Sequence, residues 1–214
     1  VSKYLRILTD WRITKFILGS LAGNYLRETG WYRSSVEGMV VDSLGSPLPW
    51  LTFSALDFID GRLRSDMRLL EFGSGNSTKY FSKKVSYVCS FEHDRNWYQK
   101  LDSEKSLYPN VHFYLVSDEN AASYLEGLKL SQGLYDVILV DGKYRNECIQ
   151  EAIKLLSKTG VLVLDDSDRV EYAAGRVFLK ELGFREIQFT GLASLIAYKK
   201  ATSVFYRDLN CLDI

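Results

Sequence analysis

From residue 68 to residue 164, short apolar runs alternate with helical patterns, and few architectures accommodate that order. Strand-like runs at 68–72, 87–92, 111–116, 137–140 and 161–164 are separated by helical patterns at 77–84, 97–106, 121–128 and 147–157. Parallel strands need a crossover long enough to hold a helix, so the alternation predicts a doubly wound, mostly parallel α/β sheet with helices on both faces. A further helix is expected over 170–182, capped by Asp168 with Glu171 three residues on, and ended by Gly183. Two closing strands follow at 184–190 and 203–206, joined by a connection short enough for a hairpin.

The first 66 residues break this pattern. Ile7, Trp11, Phe16, Ile17 and Leu21 recur near helical spacing, and 50–63 forms a second amphipathic run after Pro47 and Pro49. Between them, 30–45 is turn-rich and carries no assignment. The chain therefore divides into an N-terminal helical extension or lid, 1–66, and an α/β domain, 67–214. At 214 residues with 46% apolar side chains, it can bury one substantial core, and two full domains are not expected.

Composition removes several classes of partner. Lysine plus arginine, 27, equals aspartate plus glutamate, 27, so no net field draws the chain to nucleic acid or a membrane surface. The three cysteines are odd in number and lack metal-ligand spacing. They read as reduced core thiols of a cytoplasmic protein. No apolar run approaches the ~20 residues of a membrane span, and Arg6, Asp10, Arg12 and Lys15 interrupt the N-terminal region. The final Cys-Leu-Asp-Ile puts an aspartate in a normally aliphatic slot of a prenylation signal, which argues for a chance match.

The chemistry is concentrated at the ends of the predicted strands. Glu71-Phe-Gly-Ser-Gly-Asn-Ser77 follows the first strand and opens a helix. A P-loop needs Lys-Ser or Lys-Thr after its second glycine, and Lys79-Tyr80 is not that. A dinucleotide fingerprint needs a third glycine where Thr78 stands. What is left suits the amino-acid part of S-adenosylmethionine. Glu71 would face the ammonium, while backbone N–H groups of Gly73, Ser74, Gly75, Ser77 and Thr78 meet the carboxylate. A plain strand-to-helix corner is the other reading. Glu92, closing the next strand in Phe-Glu-His-Asp, can accept both ribose hydroxyls, or it can be a solvated strand end. Asp118 can meet an adenine amino group or cap the following helix.

Taken in order, EFGSGNS, FEHD, YDVILVDGKYR and GVLVLDDSDR resemble the class I S-adenosylmethionine-dependent methyltransferases over about residues 68–207. The pairing of VDGKYR with LDDSDR is most similar to sugar O-methyltransferases of the macrocin type, and more loosely to catechol O-methyltransferase. Ser77 departs from the third glycine of many members. The resemblance implies a seven-stranded Rossmann-like fold with a closing antiparallel hairpin. It also implies a divalent cation, usually magnesium, held by Asp141, Asp165 and Asp166, an all-oxygen set suited to a hard ion. Consecutive aspartates converge only if the chain has left the strand at Asp166; otherwise Asp166 or Asp168 caps a helix and Asp141 orients a loop.

A metal there would lower the pKa of a substrate hydroxyl for attack on the sulfonium methyl. Lys143 and His93 are candidate bases, as is Asp141 itself without a metal, where it also borders the cofactor. Tyr144 and Arg145 are expected at the pocket or its rim. Trp31, Tyr32, Pro49 and Trp50 offer a lid that favours a small-molecule or glycan acceptor, although Trp11 and the run after Trp50 fit simple packing on the sheet. Nucleic acid is disfavoured because the fourth-strand motif is Val-Asp-Gly-Lys, not Pro-Pro-aromatic. Two other readings stand beside metal-assisted O-methylation: metal-free transfer to a nitrogen or carboxylate acceptor, as an N- or O-methyltransferase, and a silent cofactor-binding module serving a partner enzyme. A homo-oligomer is open.

Overall fold

The computed structural model describes residues 10–22 and 25–214, the side chains of 20–22 excepted; Arg6, Ile7 and the side chain of Leu21 lie outside the described residues. One 7-stranded sheet runs in the order β3-β2-β1-β4-β5-β7-β6. Its strands are β1 Arg68–Phe72, β2 Tyr87–Glu92, β3 Val111–Leu115, β4 Tyr135–Val140, β5 Leu156–Leu164, β6 Arg185–Gly191 and β7 Lys200–Tyr206. The first five pair in parallel, and β7 joins β5 and β6 antiparallel.

Strand periodicity sorts the core into two layers. Leu70, Phe72, Ile138, Val140, Leu162 and Leu164 face one side, packed against Cys148, Ile149 and Leu179 from crossover helices. Leu69, Val88, Val137, Leu139 and Val163 face the other, against Phe81 and Ile59. Successive side chains of a strand point to opposite faces, so Glu71 falls on the Leu69 side, under the helix Asn76–Phe81. Cys89, Cys148 and Cys211 are free and buried. Among the described residues no helix is long and apolar enough to cross a membrane.

Several boundaries differ from the sequence expectation. β5 begins at Leu156 and β7 at Lys200, because Ser157 to Gly160 and Lys200 to Ser203 are polar or small and break the apolar runs that follow them. Asp168 does not cap the next helix: its Oδ1 accepts from Ala201 N at 2.9 Å, and a short 3₁₀ turn, Val170–Tyr172, precedes the helix Ala173–Glu181. The turn-rich stretch after residue 30 holds a helix, Trp31–Glu37, between left-handed Gly30 and Gly38. A Cβ on Gly30 would lie 2.3 Å from Val41 O, so the chain passes there only as glycine.

The residues before β1 lean on the far end of the sheet. Trp31 Nε1 donates to Ile196 O at 2.7 Å and Trp50 Nε1 to Ser194 O at 2.6 Å, both in the β6–β7 connection. Thr52 N donates to Thr202 Oγ1 at 3.1 Å. The helix Trp11–Ala22, by contrast, leaves Trp11 and Phe16 exposed and does not pack them on the sheet.

Candidate active site

The strand order reverses between β1 and β4, and a parallel sheet opens a crevice at the carboxyl ends on either side of such a point. A cavity of about 690 Å³ lies there. Gly73, Ser74, Gly75, Ser77, Glu92, His93 and Asp141 line it, and Val40, Leu48, Trp50 and Leu195 form an apolar wall.

The glycine loop is shaped by groups beneath it. Gly73 has φ +91°, and a Cβ there would meet Asp141 O at 3.0 Å. Gly75 N donates to Thr78 Oγ1 at 2.9 Å, and Thr78 Oγ1 donates to Glu71 Oε2 at 2.5 Å. Ser90 Oγ donates to the same Glu71 oxygen at 2.8 Å and lies 2.6 Å from Ser74 Oγ. Glu71 is fully buried and is absent from the cavity lining, whereas the sequence reading sets it against the cofactor's ammonium; its Oε1 has no hydrogen-bond partner among the described residues. Strand alternation put it under the helix, where it ties the loop down. Burial, with the Glu92 charge adding, pushes its pKa up to about 7, against the hydrogen bonds from Thr78 and Ser90.

Gly75 is different. Its backbone is extended, and an added Cβ would find only Trp97 Nε1 at 3.7 Å and Ser77 Oγ at 4.0 Å, both on lining residues. A methyl there stands in cavity space at no cost to the loop. If the cavity holds the cofactor that the sequence resemblance implies, Gly75→Ala is expected to keep the wild-type melting temperature while weakening S-adenosylhomocysteine about tenfold or more, measured by calorimetric titration. Gly73→Ala should lower the melting temperature as well, because a left-handed φ and the Asp141 carbonyl both oppose it. Unchanged ligand affinity in Gly75→Ala would place the cofactor elsewhere.

Glu92 closes β2 with its carboxylate held in place. Oε1 accepts from His93 N at 2.8 Å and Asp94 N at 2.7 Å, and Oε2 from Ser74 N at 3.0 Å. These backbone donors fix the carboxylate at the cavity wall, where free lone pairs can accept a ligand's hydroxyl groups. His93 Nδ1 stands 3.1 Å from Glu92 Oε1. Trp97, which the sequence did not single out, donates Nε1 to Ser74 O at 2.9 Å and closes that side. Asp118 and Lys143 do not line the cavity. They pair with each other, and the hydrogen bond that Lys143 donates to Asp118 raises the Lys143 pKa, which opposes a neutral Lys143 acting as base. Tyr144 is also outside the lining, its hydroxyl donating to Asp118 O at 2.7 Å.

The three aspartates do converge. Asp166 has φ +50°, so the chain has left the strand at that residue. Cations already fill the space between the carboxylates. Arg145 is buried and reaches Asp141 Oδ1 at 3.0 Å, Asp166 Oδ2 at 3.6 Å and Asp165 O at 2.5 Å, so it does not stand at a rim to hold a substrate anion. Arg169 contacts Asp166 Oδ2 at 2.7 Å. Lys200, absent from the sequence expectation, contacts Asp165 Oδ2 at 2.5 Å and Asp166 Oδ1 at 3.2 Å. Burial alone would lower the Lys200 pKa, but Asp165 beside it, with Asp166 and Asp141 adding, holds it above the ordinary range. Burial, then Asp165, raises Asp141 well above a usual carboxylate, against Arg145. No group of His, Cys, Asp and Glu side chains among the described residues has the arrangement of a metal site. The set does not fit magnesium, which needs free carboxylate oxygens at 2.0–2.1 Å.

No protein-family model matches the sequence, and no curated protein matches it. Solved structures do match. The O-methyltransferase TomG of Streptomyces achromogenes, in complex with S-adenosylmethionine, superposes with TM-score 0.56 at 15% identity, over 89% of this chain and 94% of that one. Aeropyrum pernix fibrillarin with natively bound S-adenosyl-L-methionine gives 0.54 at 13% identity, over 69% and 71%. Precorrin-6y C5,15-methyltransferase of Geobacter metallireducens gives 0.52 at 16%, over 71% and 87%. These proteins share one architecture, and the chain has the fold of class I S-adenosylmethionine-dependent methyltransferases.

Proposed function

We propose that the protein is an S-adenosylmethionine-dependent methyltransferase acting on a hydroxyl of a small acceptor, such as a sugar. The observation that carries this reading is the single cavity that joins the glycine loop and Glu92 to Asp141 and an apolar wall. Glu92 would accept the ribose hydroxyls, and the backbone of Gly73 to Ser77 would hold the methionine end. The fold relatives named for bound S-adenosylmethionine support the same cofactor.

The acceptor would lie between Asp141 and the Val40, Leu48, Trp50 and Leu195 wall, which excludes water and favours a ring face. Its hydroxyl donates to Asp141, which takes the proton as oxygen attacks the methyl in line. The carbon–sulfur bond breaks, an oxygen–carbon bond forms, and S-adenosylhomocysteine leaves neutral at sulfur. His93 lines the ribose end of the cavity and is the second candidate base. No step is routed through magnesium, because the carboxylates expected to bind it are paired within the protein.

The test has two parts. Calorimetry should show S-adenosylhomocysteine binding that Glu92→Ala weakens by about tenfold to a hundredfold, as loss of charged hydrogen bonds implies. Transfer of a labelled methyl to a panel of hydroxylated acceptors should then fall about a hundredfold or more in kcat with Asp141→Asn. Absence of cofactor binding would end this reading; binding without transfer to any acceptor would turn it toward a silent module.

A further inference from the structure

Lys200 sits where the resemblance would place a metal ion, and its surroundings are complete without one. It is the first residue of β7, which runs antiparallel to β5 and so begins near the carboxyl ends of the parallel strands. Lys200 and Thr202 are two apart on a strand and share a face. Together they grip both oxygens of one carboxylate: Thr202 Oγ1 donates to Asp165 Oδ1 at 2.7 Å, and Lys200 Nζ to Asp165 Oδ2 at 2.5 Å. An ammonium has three donors. The other two contacts are Asp166 Oδ1 at 3.2 Å and Trp50 O at 3.0 Å.

Charge balance reinforces the geometry. Asp141, Asp165 and Asp166 carry one negative charge each when ionised, and Lys200, Arg145 and Arg169 supply one positive charge each. A divalent ion would have to expel the Lys200 ammonium, which is 7% exposed, and leave Trp50 O without its donor. Trp50 lines the cavity, so this ammonium also fixes the acceptor wall, which a bare ion bound to carboxylates would not do.

We propose that Lys200 is a built-in cation in the position of a divalent metal, neutralising Asp165 and Asp166 and anchoring Trp50, and that the protein works without a metal ion. Its second half rests on the methyltransferase reading; the first, that this cluster rejects divalent ions, does not. Asp141 is then free on its cavity side to meet the acceptor, and Lys200 is a positioning residue that acts through Asp165 and Trp50.

The experiment is a Mn²⁺ titration of the full chain followed by electron paramagnetic resonance, with and without S-adenosylhomocysteine, on wild type, Lys200→Ala and Lys200→Ala/Asp165→Asn. Wild type should show no saturable binding. Lys200→Ala, with the ammonium removed and the carboxylates freed, should bind one ion per chain, and the double variant should lose it. A Lys200→Ala chain that folds only when Mn²⁺ is added, judged by circular dichroism, supports the proposal equally. Saturable wild-type binding weakened by Asp165→Asn would overturn it, as would a folded Lys200→Ala that binds no ion. If Lys200→Ala folds under neither condition, the wild-type titration decides in the same two directions. Calorimetry with S-adenosylhomocysteine on wild type separates failure of this proposal from failure of the cofactor reading, since neither titration needs turnover.

Discussion

Replacing Asp165 with alanine is expected to lower the unfolding free energy by about 3–5 kcal/mol, the usual cost of removing one partner from a buried ion pair. Asp165 is 1% exposed and Lys200 7%, so the ammonium left behind cannot turn to water without dragging the start of β7 with it. Thr202 Oγ1 loses its acceptor at the same time. Asp166, 3.2 Å away, offers partial relief, which moves the cost toward the lower end of that range. Urea unfolding provides the measurement. Asp118→Ala is the control, since its pair with Lys143 is solvent-exposed and screened, and its midpoint should not move. Adding Lys200→Met to Asp165→Ala should recover much of the loss, because a well-packed apolar pair often replaces a buried ionic one without penalty. An Asp165→Ala midpoint close to that of Asp118→Ala would show that the pair is solvated in the protein.

Glu71 should make stability fall as pH rises through the range where most carboxylates have finished titrating. Its folded pKa, about 7, lies above the ordinary 4.5. Between those values the native chain holds a proton that the unfolded chain has released, so raising the pH favours unfolding. The stability is fully present below 4.5 and is lost as pH climbs to about 7, above which the effect is constant. The gap corresponds to roughly 3 kcal/mol in all, and about 2–3 kcal/mol of it falls between pH 5 and pH 8. Glu71→Gln keeps a carbonyl oxygen for Thr78 and Ser90 and removes the charge. The difference in unfolding free energy between Glu71→Gln and wild type should therefore grow by that amount from pH 5 to pH 8, with other titrating groups cancelling. Parallel pH profiles would mean that Glu71 stays ionised throughout.

The sheet was legible because its central strands are nearly uninterrupted apolar runs, each closed by a polar or glycine-rich turn. β1 and β2 match the sequence reading at both ends, since Phe72 meets Gly73 and Glu92 meets His93-Asp94. Glu92 could be placed for the same reason: the last residue of a strand at the switch point faces the crevice. Glu71, one residue further in, is a matter of face, and the motif does not reveal which face its helix covers. Lys200 was hidden by polarity. In Ala-Tyr-Lys-Lys-Ala-Thr-Ser-Val the apolar run starts late, so the pattern predicts a strand only from Ser203 and leaves the lysine in the connection before it. Starting the strand at Lys200 would have shown Lys200 and Thr202 on one face. The wall from Val40 to Trp50 is half visible: its aromatics suggest a lid, but the carbonyls that receive the Trp31 and Trp50 indole N–H groups belong to the β6–β7 connection, and a backbone acceptor leaves no compositional mark.

The position of Lys200 also sets an order on assembly. β1, β4 and β5 bring Asp141, Asp165 and Asp166 together, yet the cation that balances Asp165 arrives only with β7, the last strand of the sheet in chain order. Until then Arg145 and Arg169 balance Asp141 and Asp166, but Asp165 has no cation and Trp50 O has no donor. Completion of the sheet and completion of the cavity wall are thus one event, and a chain lacking β7 would leave the Asp165 carboxylate and the Trp50 carbonyl without their shared partner.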